Sequence, residues 1–91
     1  YQHRQTFNKT TDPALKAALF LYLNRHGYNG LCRYNRQGGF NVPFGRYQRP
    51  YFPEQELLGF WQKTASSTVS FTVQDFHATL TQVQPGDVVY C

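Results

Sequence analysis

The chain has 91 residues, which leaves room for one small domain at most, and a chain of that size buries only about 60–65% of the surface its unfolded form exposes. A formal net charge of +4 is modest, but it is unevenly placed. None of positions 13–53 is acidic, while Lys16, Arg25, Arg33, Arg36, Arg46 and Arg49 all fall there, as expected of an electrostatic footprint for a polyanion. No stretch reaches the ~20 apolar residues of a membrane span, and no signal peptide is visible. Cys32 and Cys91 match no metal spacing. They read as two reduced thiols of a cytoplasmic protein, with a bridge in a secreted protein as the alternative. There is no methionine, the chain opens on Tyr1-Gln2-His3-Arg4 and it closes on an apolar run. It is therefore read as an internal fragment with a thin core.

In chain order, Asp12-Pro13 opens a helix: Asp12 can cap it, and Pro13 suits the first helical position, where an N–H is not needed. Positions 14–25 are rich in Ala and Leu and apolar nearly all round, which predicts a helix covered on most sides. Arg25 and His26 suit its last turn, and Gly27 its stop. Positions 28–52 are loop-rich, with aromatics interleaved among Arg, Asn and Gln. Gln37-Gly38-Gly39 predicts a hairpin turn. Pro53-Glu54-Gln55-Glu56 predicts a second helix start, with acids in its first turn. Positions 68–73 alternate apolar and polar residues, a strand pattern. A short helix is expected over 75–83. The run 88–91 is expected to be a strand buried on both faces, as in parallel sheets.

Catalytic constellations are absent. His3, His26 and His77 have no evident carboxylate partner, Glu54 and Glu56 are explained by a helix start, and no Gly-rich phosphate loop is present. Nucleic-acid contact is better supported. Tyr28-Asn29-Gly30-Leu31-Cys32-Arg33-Tyr34-Asn35 joins an Arg able to pair with guanine O6/N7, two Asn able to bond adenine or phosphate, and flat aromatics. Phe44-Gly45-Arg46-Tyr47-Gln48-Arg49 repeats the mixture. The bland alternative is that the aromatics form the core and the arginines solubilise it.

The runs Leu19-Phe20-Leu21-Tyr22-Leu23-Asn24-Arg25, Gly27 through Asn35, Phe40-Asn41-Val42-Pro43-Phe44-Gly45-Arg46-Tyr47 and Pro50-Tyr51-Phe52-Pro53 resemble the target-recognition region of Dam-type DNA adenine-N6 methyltransferases. The resemblance is close over about residues 7–60 and looser beyond. It implies an enzyme transferring methyl from S-adenosylmethionine to adenine N6 in GATC, bacterial or phage-encoded and cytoplasmic. The partners it implies are double-stranded DNA and the remainder of the methyltransferase polypeptide, with no membrane and no metal. The expected fold is a mixed α/β fragment: a mainly helical target-recognition domain with a β-hairpin over 1–64, and a piece of a Rossmann-like sheet over 65–91. The catalytic Asp-Pro-Pro-Tyr would begin just after Cys91, and the cofactor motif would precede Tyr1. The fragment alone is thus expected to bind no cofactor and to be inactive.

The same resemblance implies roles. Arg33 matches a guanine reader. Leu31 and Pro43 match apolar residues touching bases, and Tyr28 matches an aromatic inserted into the duplex, with Asn29 beside it. Arg25, Asn35, Asn41 and Arg46 match phosphate contacts, with Arg4 and Arg49 as further candidates. Gln48 departs from the pattern, which usually has Lys there. A free-standing single-stranded DNA or RNA binder is the alternative from another class, since such modules also use aromatics in basic grooves.

Overall fold

In the computed structural model, which describes residues 1–91, the helices in chain order are α1 (Gln2–Lys9), α2 (Pro13–His26), α3 (Glu54–Ala65) and α4 (Phe76–Thr81), with a 3-10 turn at Tyr28–Gly30. The chain is mainly helical and divides into two units, Tyr1–Glu54 and Gln55–Cys91. No helix is long and apolar enough to cross a membrane.

In the first unit, α2 starts as its sequence predicts. The Asp12 carboxylate accepts from the Ala14 N–H at 3.0 Å, and Pro13 occupies the first turn. Helix α1, which no local pattern announced, packs against α2. The core is Phe7 of α1, Leu19 of α2, and Phe40 and Val42 of the following loop, with Leu23 packed alongside. Phe7 and Phe40 meet edge to face, their ring centres 5.6 Å apart. The core is thin, as the length implies. Only one stripe of α2 is covered, and Leu15, Phe20 and Tyr22 remain exposed. The expectation of a helix buried on most sides is corrected here, because α1 and a single loop do not supply enough surface to surround it.

Gly27 does end α2, but not as a left-handed cap. It is extended, with φ −72 and ψ 158, and it is buried. Glycine is needed for room: a Cβ there would lie 2.6 Å from the Leu23 carbonyl oxygen and 3.2 Å from Val42 Cγ1. Opposite it, the Gly45 N–H donates to the His26 carbonyl at 2.8 Å, so two chain segments meet at backbone distance.

Residues 31–53 hold no helix or strand. The expected β-hairpin does not form. At its place Tyr34 and Phe40 make one isolated antiparallel bridge, and the turn between them is closed by the Asn35 side chain, whose Oδ1 accepts from the N–H groups of Gln37 and Gly39 at 3.0 and 2.8 Å. The next rung would need the Arg33 N–H on the Asn41 carbonyl. That carbonyl instead accepts the Arg33 guanidinium. On its outer side, Phe40 is held by a side chain rather than a strand. Asn8 of α1 donates to the Phe40 carbonyl at 3.0 Å and accepts from its N–H at 2.8 Å.

In the second unit, α3 and α4 form where expected, but neither buries a residue. Asp75 caps α4 by accepting from the His77 N–H at 2.9 Å. The anticipated piece of a Rossmann-like sheet is absent. Residues 68–73 and 88–91 carry no strand pairing, and Phe71, Val73, Val88 and Tyr90 are 74%, 106%, 97% and 99% exposed. Alternation and apolar runs describe what a strand needs on its faces. A strand also needs neighbours for its N–H and C=O groups, and these 91 residues supply none for either segment.

Candidate nucleic-acid interface

Two stretches of the first unit, residues 27–35 and 39–45, run against one another. They are tied by the Gly27–Phe44 and Tyr34–Phe40 bridges and by the Tyr28 N–H donating to the Pro43 carbonyl at 3.0 Å. Buried Phe40 and Val42 root the second stretch in the core. Leu31, Arg33, Asn35 and Pro43 are left exposed. All five residues expected to touch bases, Tyr28, Asn29, Leu31, Arg33 and Pro43, therefore share one doubled loop, anchored from below.

Tyr28 begins the 3-10 turn and is exposed. Asn29, next to it, has φ 52 and ψ 23 and is the one non-glycine residue with positive φ. Asn tolerates this region better than most residues. Asn24 of α2 holds the turn from behind, donating to the Gly30 carbonyl at 2.8 Å.

Tyr28 and Asn29 line a cleft of about 330 Å³ with Arg46 and Tyr47. Asn29 and Tyr47 also line a neighbouring cleft of about 360 Å³, which adds Arg25, Arg49 and Tyr51. The Arg25 Nε donates to the Tyr51 carbonyl at 2.7 Å, and its guanidinium lies 6.0 Å from the centre of the Tyr51 ring. Cationic, aromatic-lined clefts of this kind can stack on a base and neutralise phosphate.

The remaining expected residues lie elsewhere in the same unit. The Arg4 Nη1 donates to the Val42 carbonyl at 3.1 Å, partly buried, and its guanidinium lies 4.6 Å from the centre of the Tyr1 ring. Arg4 and Pro43 border a smaller cleft of about 130 Å³ with Tyr22, His26 and Phe44. Asn35 spends its Oδ1 on the turn it closes. Arg33 and Asn41 form a pair of their own, with Arg33 Nε 2.9 Å from Asn41 Oδ1. Leu31 lines none of the three clefts. Sequence reasoning placed Tyr47 in the second basic and aromatic run but gave it no role of its own, and it borders both larger clefts. Its position between Arg46 and Gln48 was the available clue. The same reasoning passed over Asn8, whose partner Phe40 is 32 positions away.

Over residues 1–91 the chain matches the family described as D12 class N6 adenine-specific DNA methyltransferase. The chain belongs to that family. Among curated relatives, it is 54% identical over 91 residues to the DNA adenine methylase of Serratia marcescens, covering 100% of this chain and 33% of that protein. It is 53% identical over 91 residues to the DNA adenine methylase of Escherichia coli (strain K12), covering 100% of this chain and 32% of that protein. The DNA adenine methylase of Vibrio cholerae is 49% identical over 88 residues, which are 97% of this chain and 31% of that protein. The chain spans about a third of the length of the curated relatives it matches. Similarity to the family thus runs through all four helices as well as the doubled loop, beyond the region 7–60 in which the motif residues stand out.

Proposed function

We propose that this chain is the DNA-recognition portion of a site-specific methyltransferase that places a methyl group on adenine N6, in GATC, in the bacterial cytoplasm. The carrying observation is the gathering of Tyr28, Asn29, Arg46 and Tyr47 about one cleft, on an acid-free stretch of a D12-family chain. In this reading Tyr28 inserts into the duplex, because an enzyme cannot reach N6 inside the base stack. Asn29, held in a left-handed turn, stands beside the gap. Arg33, Leu31 and Pro43 touch base edges in the major groove. Arg25, Arg46 and Arg49, with Arg4, Asn35 and Asn41, contact phosphates, and these contacts set register without reading sequence.

S-adenosylmethionine supplies the methyl group in the whole protein. The residues here do not fit it: the larger clefts are lined by Arg25, Arg46 and Arg49, and no carboxylate lines any of the three. Cationic walls repel a sulfonium. In this reading the donor is held by the rest of the methyltransferase, and the chain by itself transfers no methyl group.

The test uses the full-length protein, labelled S-adenosylmethionine, and duplexes that contain GATC or one substituted base pair. Transfer to the GATC adenine and loss of transfer on substitution are expected. Failure to methylate adenine in any of these duplexes ends the reading. In the same assay, Arg33→Ala should cost about 1–3 kcal/mol of discrimination at one guanine. An unchanged preference among near-cognate duplexes would remove Arg33 from that role.

A further inference from the structure

Arg33 does not hang free above the doubled loop. Its Nε donates to Asn41 Oδ1 at 2.9 Å and its Nη2 to the Asn41 carbonyl at 3.0 Å. Asn41 is itself half-buried, between Phe40 and Val42 of the core, and its N–H donates back to the Arg33 carbonyl at 3.0 Å. Side chain and backbone of one residue thus hold both the main chain and the guanidinium of the other. A guanidinium has two edges from which it can donate in parallel. Asn41 occupies the Nε/Nη2 edge. The side-chain hydrogen bonds of Arg33 both go to Asn41, from Nε and Nη2; Nη1 donates none, and Arg33 is exposed.

We propose that Asn41 is a positioning residue for base readout: it fixes the Arg33 guanidinium before DNA arrives and leaves only its Nη1/Nη2 edge to meet guanine O6 and N7. This rests on the DNA-recognition reading above and deepens it. A guanidinium held in place presents two rigid donors. Guanine matches them with two acceptors, whereas adenine offers N7 beside the donor N6. An unrestrained Arg can swing away from a mismatch towards solvent or a phosphate and so escape the clash. One pinned from its other edge cannot, and it also surrenders less side-chain freedom on binding. The consequence is selectivity, over and above any phosphate contact that Asn41 makes through its Nδ2.

The experiment measures, in the full-length protein, the ratio of kcat/KM for a GATC duplex to that for a duplex with its guanine pair replaced. A ratio for two substrates does not depend on how much of a variant is folded. Asn41→Ala removes the acceptor for Nε and keeps the backbone carbonyl that accepts from Nη2, so it should lower the ratio about tenfold, part of what one bidentate contact supplies. Asn41→Asp keeps an acceptor for Nε while opposing any phosphate, so it should restore the ratio even where it weakens binding to both duplexes. In an Arg33→Ala background, Asn41→Ala should leave the ratio unmoved, since residues that act as one unit are not additive. An unchanged ratio for Asn41→Ala in the parent overturns the proposal. So does a uniform loss on both duplexes that Asn41→Asp makes worse, which is the behaviour of a phosphate contact alone. A parent protein with no preference for the GATC duplex would instead remove the underlying function.

Discussion

Tyr28 and Pro43 are joined through their backbones, the Tyr28 N–H donating to the Pro43 carbonyl at 3.0 Å. The bond uses main-chain groups only, so both side chains remain available. The proposed inserting aromatic and a proposed base contact are thereby held in one register, although they stand on different stretches of chain.

Because that bond does not involve the Tyr28 ring, Tyr28→Ala should separate insertion from folding. Tyr28 is 45% exposed, so thermal stability of the full-length protein should change little, since surface substitutions generally lie within about 0.5 kcal/mol. With 2-aminopurine in place of the target adenine, the fluorescence gain on binding should fall. A gain equal to that of the parent would contradict insertion by Tyr28.

Arg46 shares its cleft with Tyr28 but carries a charge suited to phosphate. Replacing it with Ala should weaken cognate and near-cognate duplexes alike and reduce the slope of log affinity against log salt by about 1. A titration at several salt concentrations reads this directly. A loss confined to GATC would point to a base contact.

Gly27→Ala tests the packing reason given for that glycine. A Cβ 2.6 Å from the Leu23 carbonyl oxygen must displace either the end of α2 or the facing segment. Overpacking of this kind costs about 1–3 kcal/mol. Urea denaturation of the full-length protein should show an earlier midpoint, and an unaltered midpoint would mean that the two segments part freely.

Asn8→Ala removes a donor and an acceptor from the Phe40 backbone. Leaving those groups unsatisfied near the core should cost about 1–3 kcal/mol. Amide hydrogen exchange should rise at Phe40, Asn41 and their neighbours more than in α3. Uniform exchange across the chain would show that Asn8 does not anchor this loop.

The sequence by itself determined the family, because runs such as Tyr28-Asn29-Gly30-Leu31-Cys32-Arg33-Tyr34-Asn35 are long and specific. It also determined where α2 begins, since the signals, Asp12 and Pro13, are adjacent and act locally. The acid-free stretch was legible for the same reason, being a matter of composition. Tertiary structure decided what depends on partners distant in sequence. Helix α1 has no local signature and is placed by packing. Asn8 finds Phe40, and Arg33 finds Asn41, only once the loop folds back over α1 and α2. Gly27 reads locally as a helix stop, but it is required because Val42 and the Leu23 carbonyl crowd it. The two expected strand segments stay unpaired for the same physical reason. Alternation sets which faces a segment would bury, while a sheet exists only where another backbone is present to complete its hydrogen bonds.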